Sequence, residues 1–343
     1  MDTTTPDWPS LPDHLLASIA EQLPTRIDRL CLRAVCNSFR SSIPPPLKPA
    51  SPHADLKITL PGLPPLVLVE FTFYAIKSLP SISNPNQIKY TWLVKSEELH
   101  NGKVRLEDPF SSRRLGIWDD WVPESEKLPE SLNLLDYRVK EVAKAYRLEV
   151  FYQGKDINRR IPCVFGKAVV SSGHDASDDG FAVMTIIRGN VLMWRNVDKK
   201  WAIINVGYED PLDVIYHNEK FFALMSTGVT VTVDSKSISV SQVAGPLQIE
   251  GLRIRSDLIK SFQDLFLIIK ISVQSIQSFE FKVYKLDEEK REWVAVMDGL
   301  EDSVFFVGYD GSFTLSAEEF PGYKGNCVYI NSGPFEVDPW SVF

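Results

Sequence analysis

Trp201 and Trp293 each open an apolar run directly after a charged turn, and the residues ahead of each turn match as well. Val191–Arg195, a turn at 196–200 and Trp201–Ile204 read as strand, turn, strand; Phe281–Leu286, a turn at 287–292 and Trp293–Val296 repeat the pattern. The echo continues: Asp213–Leu224 parallels Ser303–Leu315, and Val229–Val233 with Ser237–Val240 supplies a hairpin between the copies. The two tryptophans stand 92 residues apart, which is two periods of about 46, and periods of roughly 40–50 residues with several strands each mark β-propeller blades. Residues 66–333 alternate short apolar runs with polar turns throughout. At that period they make roughly six blades; a pair of β-sandwiches is the other architecture open. The stretch Leu132–Arg147 reads equally as helix or strand. Tryptophans at equivalent repeat positions are expected in the core between strands rather than against a ligand.

The first 43 residues have another texture. Leu11, Leu15, Ile19 and Leu23 recur every four residues with Leu16 beside them, one stripe of a 3.6-residue helix. Pro12 suits the first turn, Asp13 suits the positive end of the helix dipole, and Pro24 stops the helix. Thr25 is a cap for a second helix, with Asp28 as an imperfect capping box and Ile27, Leu30, Cys31 and Ala34 as its apolar positions. A third short helix carries Val35, Phe39 and Ile43. About 40 residues of helix bury little core alone, so the stripe must meet either the β region or another protein. Between the two regions, residues 44–65 hold eight prolines and read as a semi-rigid linker. The expected organisation is therefore helices over 8–43, linker over 44–65, β domain over 66–333 and a tail over 334–343.

Composition removes several function classes. A net charge of −8 and a pI near 5.3 argue against non-specific binding to nucleic acid or anionic membranes. No apolar run reaches the ~20 residues that span a bilayer, and Met1–Asp7 lacks the features of a secretory signal. Four scattered cysteines (Cys31, Cys36, Cys163, Cys327) suit a reduced compartment, so nucleus or cytoplasm is expected. There is no phosphate-cradling glycine loop, no Cys-x-x-Cys, no His-x-x-x-His and no Gly-x-Ser-x-Gly. The five histidines (His14, His53, His100, His174, His217) are dispersed, so no metal and no cofactor is expected. Asp119-Asp120 between Trp118 and Trp121, and Asp178-Asp179-Gly180, are the carboxylate pairs that a sugar-cleaving propeller could use. Adjacent acids on an extended chain point apart, however, and Asp-Gly before an apolar run is a turn signal. Trp118 and Trp121, flanked by acids and Pro123, fit an exposed binding loop.

Two family resemblances sharpen this. Trp8-Pro9-Ser10-Leu11-Pro12-Asp13-His14-Leu15-Leu16, then Ile19 and Leu23-Pro24, then Arg33-Ala34-Val35-Cys36-Asn37-Ser38-Phe39-Arg40 resembles the plant F-box, with Phe39 where the family usually has tryptophan. The rest is similar to the β-propeller that follows many plant F-boxes, domain of unknown function 295. Its matching pieces run from Trp92-Leu93-Val94-Lys95 and Asn101–Phe110 through Leu132–Tyr137 and Lys199-Lys200-Trp201 to Asp310-Gly311-Ser312-Phe313 and Lys324–Tyr329. Two departures stand out: an early glycine-rich strand before residue 90 is not recognisable, and the C-terminus is short. Either would leave the ring imperfectly closed with an exposed edge strand.

The resemblance implies a mainly β chain with a short all-α F-box at its N-terminus, acting as the substrate-recognition subunit of a Skp1–cullin–F-box ubiquitin ligase. Leu11, Pro12, Leu15, Ile19, Val35, Cys36 and Phe39 would contact the Skp1-type adaptor and through it cullin, and the β domain would hold a protein target. Such a chain is not itself an enzyme. Two rival readings stay open: a propeller interaction protein whose F-box no longer engages the ligase, and a propeller glycosidase.

Overall fold

The computed structural model describes residues 11–23, 26–45, 56–59, 62, 64–79, 91–99, 104–110, 133, 136–153, 158–171, 180–207, 209–273, 278–320, 322–331 and 337–341. Trp8, Thr25, Trp118, Asp119, Asp120, Trp121, Asp178, Asp179, His53, His100 and His174 lie outside the described residues.

Three helices open the chain: α1 (Asp13–Gln22), α2 (Arg26–Ala34) and α3 (Asn37–Ser42). Pro12 caps α1, its carbonyl accepting the N–H groups of Leu15 at 2.9 Å and Leu16 at 3.2 Å. Proline lacks the N–H that a helix start cannot use, so it costs nothing there. Asp13 in the first turn also accepts a hydrogen bond from the Ser42 hydroxyl at 2.5 Å, which ties the start of α1 to the end of α3. Leu16, Ala20, Phe39 and Ile43 form the small core, with Leu11, Leu32 and Cys36 packed against it. The second helix departs from expectation: its contribution to that core is Leu32, while Ile27, Leu30, Cys31 and Ala34 are half-buried and α2 touches the long strand Tyr137–Gln153.

A nine-stranded sheet follows. It holds β1 (Lys57–Ile58), β2 (Leu66–Ser78), β3 (Thr91–Glu98), β4 (Val104–Glu107), β5 (Tyr137–Gln153), β6 (Asn158–Val170), β7 (Ala182–Ile187), β8 (Asn190–Arg195) and β9 (Lys200–Ile204), in the order β4-β3-β2-β5-β6-β7-β8-β9 with β1 beside β2. The ambiguous stretch before residue 147 is thus a strand, because β5 is hydrogen-bonded on both sides, to β2 from Leu66↔Val150 to Ser78↔Tyr137 and to β6 at Tyr146↔Ala168. The sheet carries two four-strand leaves joined through β5 and β6. Three further leaves have four strands each: β10 (Pro211–His217) to β13 (Val240–Ala244), with β11 (Lys220–Met225) and β12 (Thr230–Val233) between; β14 (Leu252–Ser261), β15 (Asp264–Val273), β16 (Ser278–Asp287) and β17 (Glu292–Ala295); and β18 (Ser303–Val307), β19 (Ser312–Ser316), β20 (Cys327–Asn331) and β21 (Val337–Ser341).

The described strands therefore group into five leaves in four sheets, where the period alone gave roughly six. Two pairings lie in segments read as linker and tail: β1 pairs with β2, and β21 pairs with β20.

The apolar faces fill the gaps between neighbours. Met193, Ile204, Phe221 and Val231 pack the β6–β9 leaf on the next. Phe222, Leu267, Leu286 and Trp293 pack that leaf on the β14–β17 leaf, and Ile268, Val283, Phe305 and Val328 pack the β14–β17 leaf on the last. The final gap closes the ring: Phe73, Ala75, Phe110 and Ala145 meet Val304, Phe306, Phe313 and Leu315, with the Phe306 and Phe313 rings stacked at 5.1 Å. Each fully buried Val, Leu, Ile, Phe or Met among them contributes about 1.5–3 kcal/mol. The described strands thus make a ring closed by aromatic packing, where the sequence had suggested an imperfect closure. The repeated tryptophans occupy matching registers, Trp201 opposite Trp194 and Trp293 opposite Leu286; Trp293 is buried in a core and Trp201 packs against one.

Candidate functional sites: a helical ridge and a charged axis

On α1, successive residues are about 100° apart. Leu16 and Ala20 point inward onto Phe39 and Ile43, so Leu15 and Ile19 one step round the helix point out; they are 43% and 40% exposed. Pro12 is exposed beside them, and Val35, at the bend between α2 and α3, is 48% exposed. Leu11 and Cys36 are half-buried against the small core. Phe39 is different: at 4% exposure it belongs to that core and supports the ridge from behind. Of the seven residues singled out in the sequence, four face solvent, two are half-covered and one is internal. Arg33 fixes the shape by donating to the Ile43 carbonyl, and Arg29 donates to the Glu21 carbonyl at 3.3 Å.

The second site is the ring axis. Strands β5, β6, β10, β14 and β19 adjoin one another in that order, and β19 adjoins β5. Together they line a cavity of 970 Å³, each contributing one stretch, from Lys140 on β5 to Ser316 on β19. Hairpin tips form its mouth. Asn218 and Glu219 take the left-handed conformations of a two-residue turn. The His217 ring and the Asn218 side chain meet the Gln263 carbonyl at 3.0 and 3.1 Å. Phe262, at φ 52° and 92% exposed, projects from the next tip.

Ion pairs linked by hydrogen bonds to the backbone lie around this axis. Lys167 on β6 donates to Asp213 on β10 at 2.5 Å. The same carboxylate accepts the N–H of Val214 and, across the seam, that of Leu258 on β14, both at 2.8 Å. Arg255 grips Asp257 at 2.7 and 2.8 Å and donates to the Gly308 carbonyl at 3.0 Å. Asp310 then accepts from Lys95 at 2.5 Å and Arg147 at 2.9 Å, and Arg147 also holds Glu149 at 2.6 Å. Arg147 lies opposite Lys167 in the β5–β6 register, so the set of charges runs around the whole ring. Burial opposes the charge on Arg147, but the carboxylates of Asp310, Glu107 and Glu149 outweigh it and hold its guanidinium more firmly protonated. Burial pushes the Asp257 carboxyl up, against the pull of Arg255.

Sequence reasoning missed this network. Its signal was present: Lys167, Asp213 and Asp257 are spaced 46 and 44 residues apart, close to the repeat period, and they mark the same point on successive inner strands. Chemically the axis stitches leaves together. Its carboxylates are met by cations or backbone N–H groups, an arrangement for holding shape. Among the described residues, no group of three or more His, Cys, Asp or Glu side chains could hold a metal ion, and no helix is long and apolar enough to cross a membrane.

Comparison with known proteins matches this architecture. The KIB1-4 beta-propeller family model matches residues 72–343. F-box protein SKIP23 of Arabidopsis thaliana is 29% identical over 361 aligned positions, covering 96% of this chain and 85% of that protein. F-box protein At2g17036 of the same plant is 27% identical, covering 94% of this chain and 83% of its own length. F-box/kelch-repeat protein At1g64840 is 25% identical, covering 96% and 85%. The resemblance to plant F-box chains with a domain-of-unknown-function-295 propeller is thereby borne out, on a fold that is mainly β with three short helices. The chain belongs to the KIB1-4 beta-propeller family.

Proposed function

We propose that this chain is the substrate-recognition subunit of a Skp1–cullin–F-box ubiquitin ligase, with the helical unit on the adaptor and the ring on the target. One observation carries the reading. Leu15 and Ile19 stand 43% and 40% exposed on a helix whose other apolar side already has its own core. A packed three-helix unit that leaves a leucine–isoleucine ridge in water suits helix-in-groove recognition, in which a partner's groove covers the ridge. The contact set is Leu11, Pro12, Leu15, Ile19, Val35 and Cys36, with Phe39 holding the ridge in place. The chain would supply proximity, raising the effective concentration of target lysines near the ubiquitin donor, and the covalent chemistry would belong to other subunits. Nucleus or cytoplasm is the compartment this reading implies.

The test is co-precipitation of a Skp1-type adaptor and cullin with the full chain and with Leu15→Asp. The expected result is capture by wild type and loss in the variant, with the far-ultraviolet β signal unchanged. Undiminished capture by the variant sinks the reading.

A further inference from the structure

We infer that the cleft between β1 and the β8–β9 hairpin is a docking site for an acidic peptide segment of a partner protein. The cleft has a volume of 600 Å³, and its lining includes Lys57, Arg188, Lys199, Lys200, Trp201 and Ile203. Among the described residues in that lining there are four cations and no carboxylate. The chain as a whole carries −8, so this positive concentration runs against its background. Among the described residues none of Lys57, Lys199 and Lys200 has a carboxylate within ion-pair reach, and Arg188 spends one donor on the Gly62 carbonyl at 3.0 Å.

The fold explains why these groups converge. β9 ends the nine-stranded sheet and β1 lies at the margin of β2, so two sheet edges flank the cleft. Opposite registers Trp194↔Trp201 and Leu192↔Ile203 put four apolar side chains on one face. Leu192 and Trp194 are buried in the core behind, whereas Ile203 is 71% exposed at the front. Lys199 takes a left-handed turn conformation at φ 50° and leads directly into Lys200.

Edge lysines by themselves serve a blander purpose, discouraging strand pairing with strangers. That purpose does not account for Lys57 and Arg188 arriving from other segments, nor for the tryptophan. The Trp201 indole N–H is enclosed and, among the described residues, has no acceptor, whereas its repeat counterpart Trp293 donates to the Gly228 carbonyl and the Thr230 hydroxyl. Four cations around an apolar floor, with Ile203 exposed at the rim, suit carboxylates flanking one apolar side chain. A nucleic acid fits less well, because a long polyanion would extend past this short cleft over a chain whose net charge is −8.

The proposal gives the receptor half of the preceding reading a ligand chemistry. It rests on that reading only for the ligand's being a ligase target. Fluorescence anisotropy with the full chain and a labelled peptide of about twelve residues, rich in Asp and Glu around one Phe, tests it directly. Saturable binding is expected, falling about tenfold or more as salt rises from about 0.05 to about 0.5 M. Lys199→Ala with Lys200→Ala should weaken it by about tenfold, and Trp201→Phe by a smaller factor, with thermal melts unchanged. Absence of saturable binding, equal affinity in the double variant, or tighter binding of a single-stranded RNA of equal charge overturns the proposal. Adaptor capture, measured on the same samples, reports separately on the helical ridge.

Discussion

Asp310 accepts a hydrogen bond from the Lys95 ammonium at 2.5 Å, joining residues 215 apart in sequence. The pair lies beside the aromatic packing that closes the ring, so the last leaf is held to the first by charge as well as by apolar surface. Both side chains are buried, and neither would be tolerated there alone. Deleting Asp310 leaves Lys95 on Glu107 at 2.8 Å and Arg147 on Glu149 at 2.6 Å, so the cost is that of lost hydrogen bonds to charged groups, about 1.5–3 kcal/mol. Asp310→Ala should lower unfolding free energy by that amount, read from the urea midpoint, while Lys220→Ala, which removes an exposed pair with Glu288, should cost under about 1 kcal/mol. Similar losses in the two variants would show that the axis contributes no more than surface charge does.

Leu15 and Leu16 are adjacent and opposite in consequence. Leu16 is buried in the helical core, so Leu16→Ala should destabilise the helical unit by about 2–5 kcal/mol. Leu15→Ala should change stability by no more than about 0.5 kcal/mol and yet weaken adaptor capture. Chemical denaturation followed by helical ellipticity, paired with the capture assay, separates the two effects. A Leu15→Ala variant that unfolds as readily as Leu16→Ala would mean the outer ridge is part of the core.

The two repeated tryptophans differ in hydrogen bonding. Trp293→Phe deletes a donor with two buried acceptors, Gly228 O and Thr230 Oγ1, and should cost about 1–3 kcal/mol. Trp201→Phe deletes a donor that has none among the described residues and should be close to neutral. Thermal denaturation of the pair checks this, and a larger loss at Trp201 would contradict it.

Lys270 is buried, with its ammonium 4.0 Å from the centre of the Phe279 ring. Burial first, and then the nearby Arg255 charge, draw its pKa below the usual lysine range. The sign follows: between the lowered folded value and the ordinary value near 10.5, the unfolded chain binds more protons, so stability rises with pH across that window. Below the window the penalty is present in full. Lys270→Met should therefore raise stability at neutral pH by about 1 kcal/mol and flatten the alkaline part of the stability–pH curve. An unchanged alkaline slope would refute the assignment.

The sequence by itself determined which segments are strands and helices wherever a period was present: the strand–turn–strand echoes around Trp201 and Trp293, the four-residue stripe of α1 and its start at Pro12. These are local properties, set by alternation, turn residues and the lost N–H of proline. Local pattern could not decide the stretch before Arg147, whose described part from Tyr137 is strand because β2 pairs along it and β6 joins from Tyr146. Nor could it separate Leu15 from Leu16, since both are equally apolar and only the placement of Phe39 and Ile43 turns one inward. The axial ion pairs and the β1–β9 cleft were likewise beyond it. They join groups tens to hundreds of residues apart, and their energies exist only once ring closure has excluded water and brought the two sheet edges together.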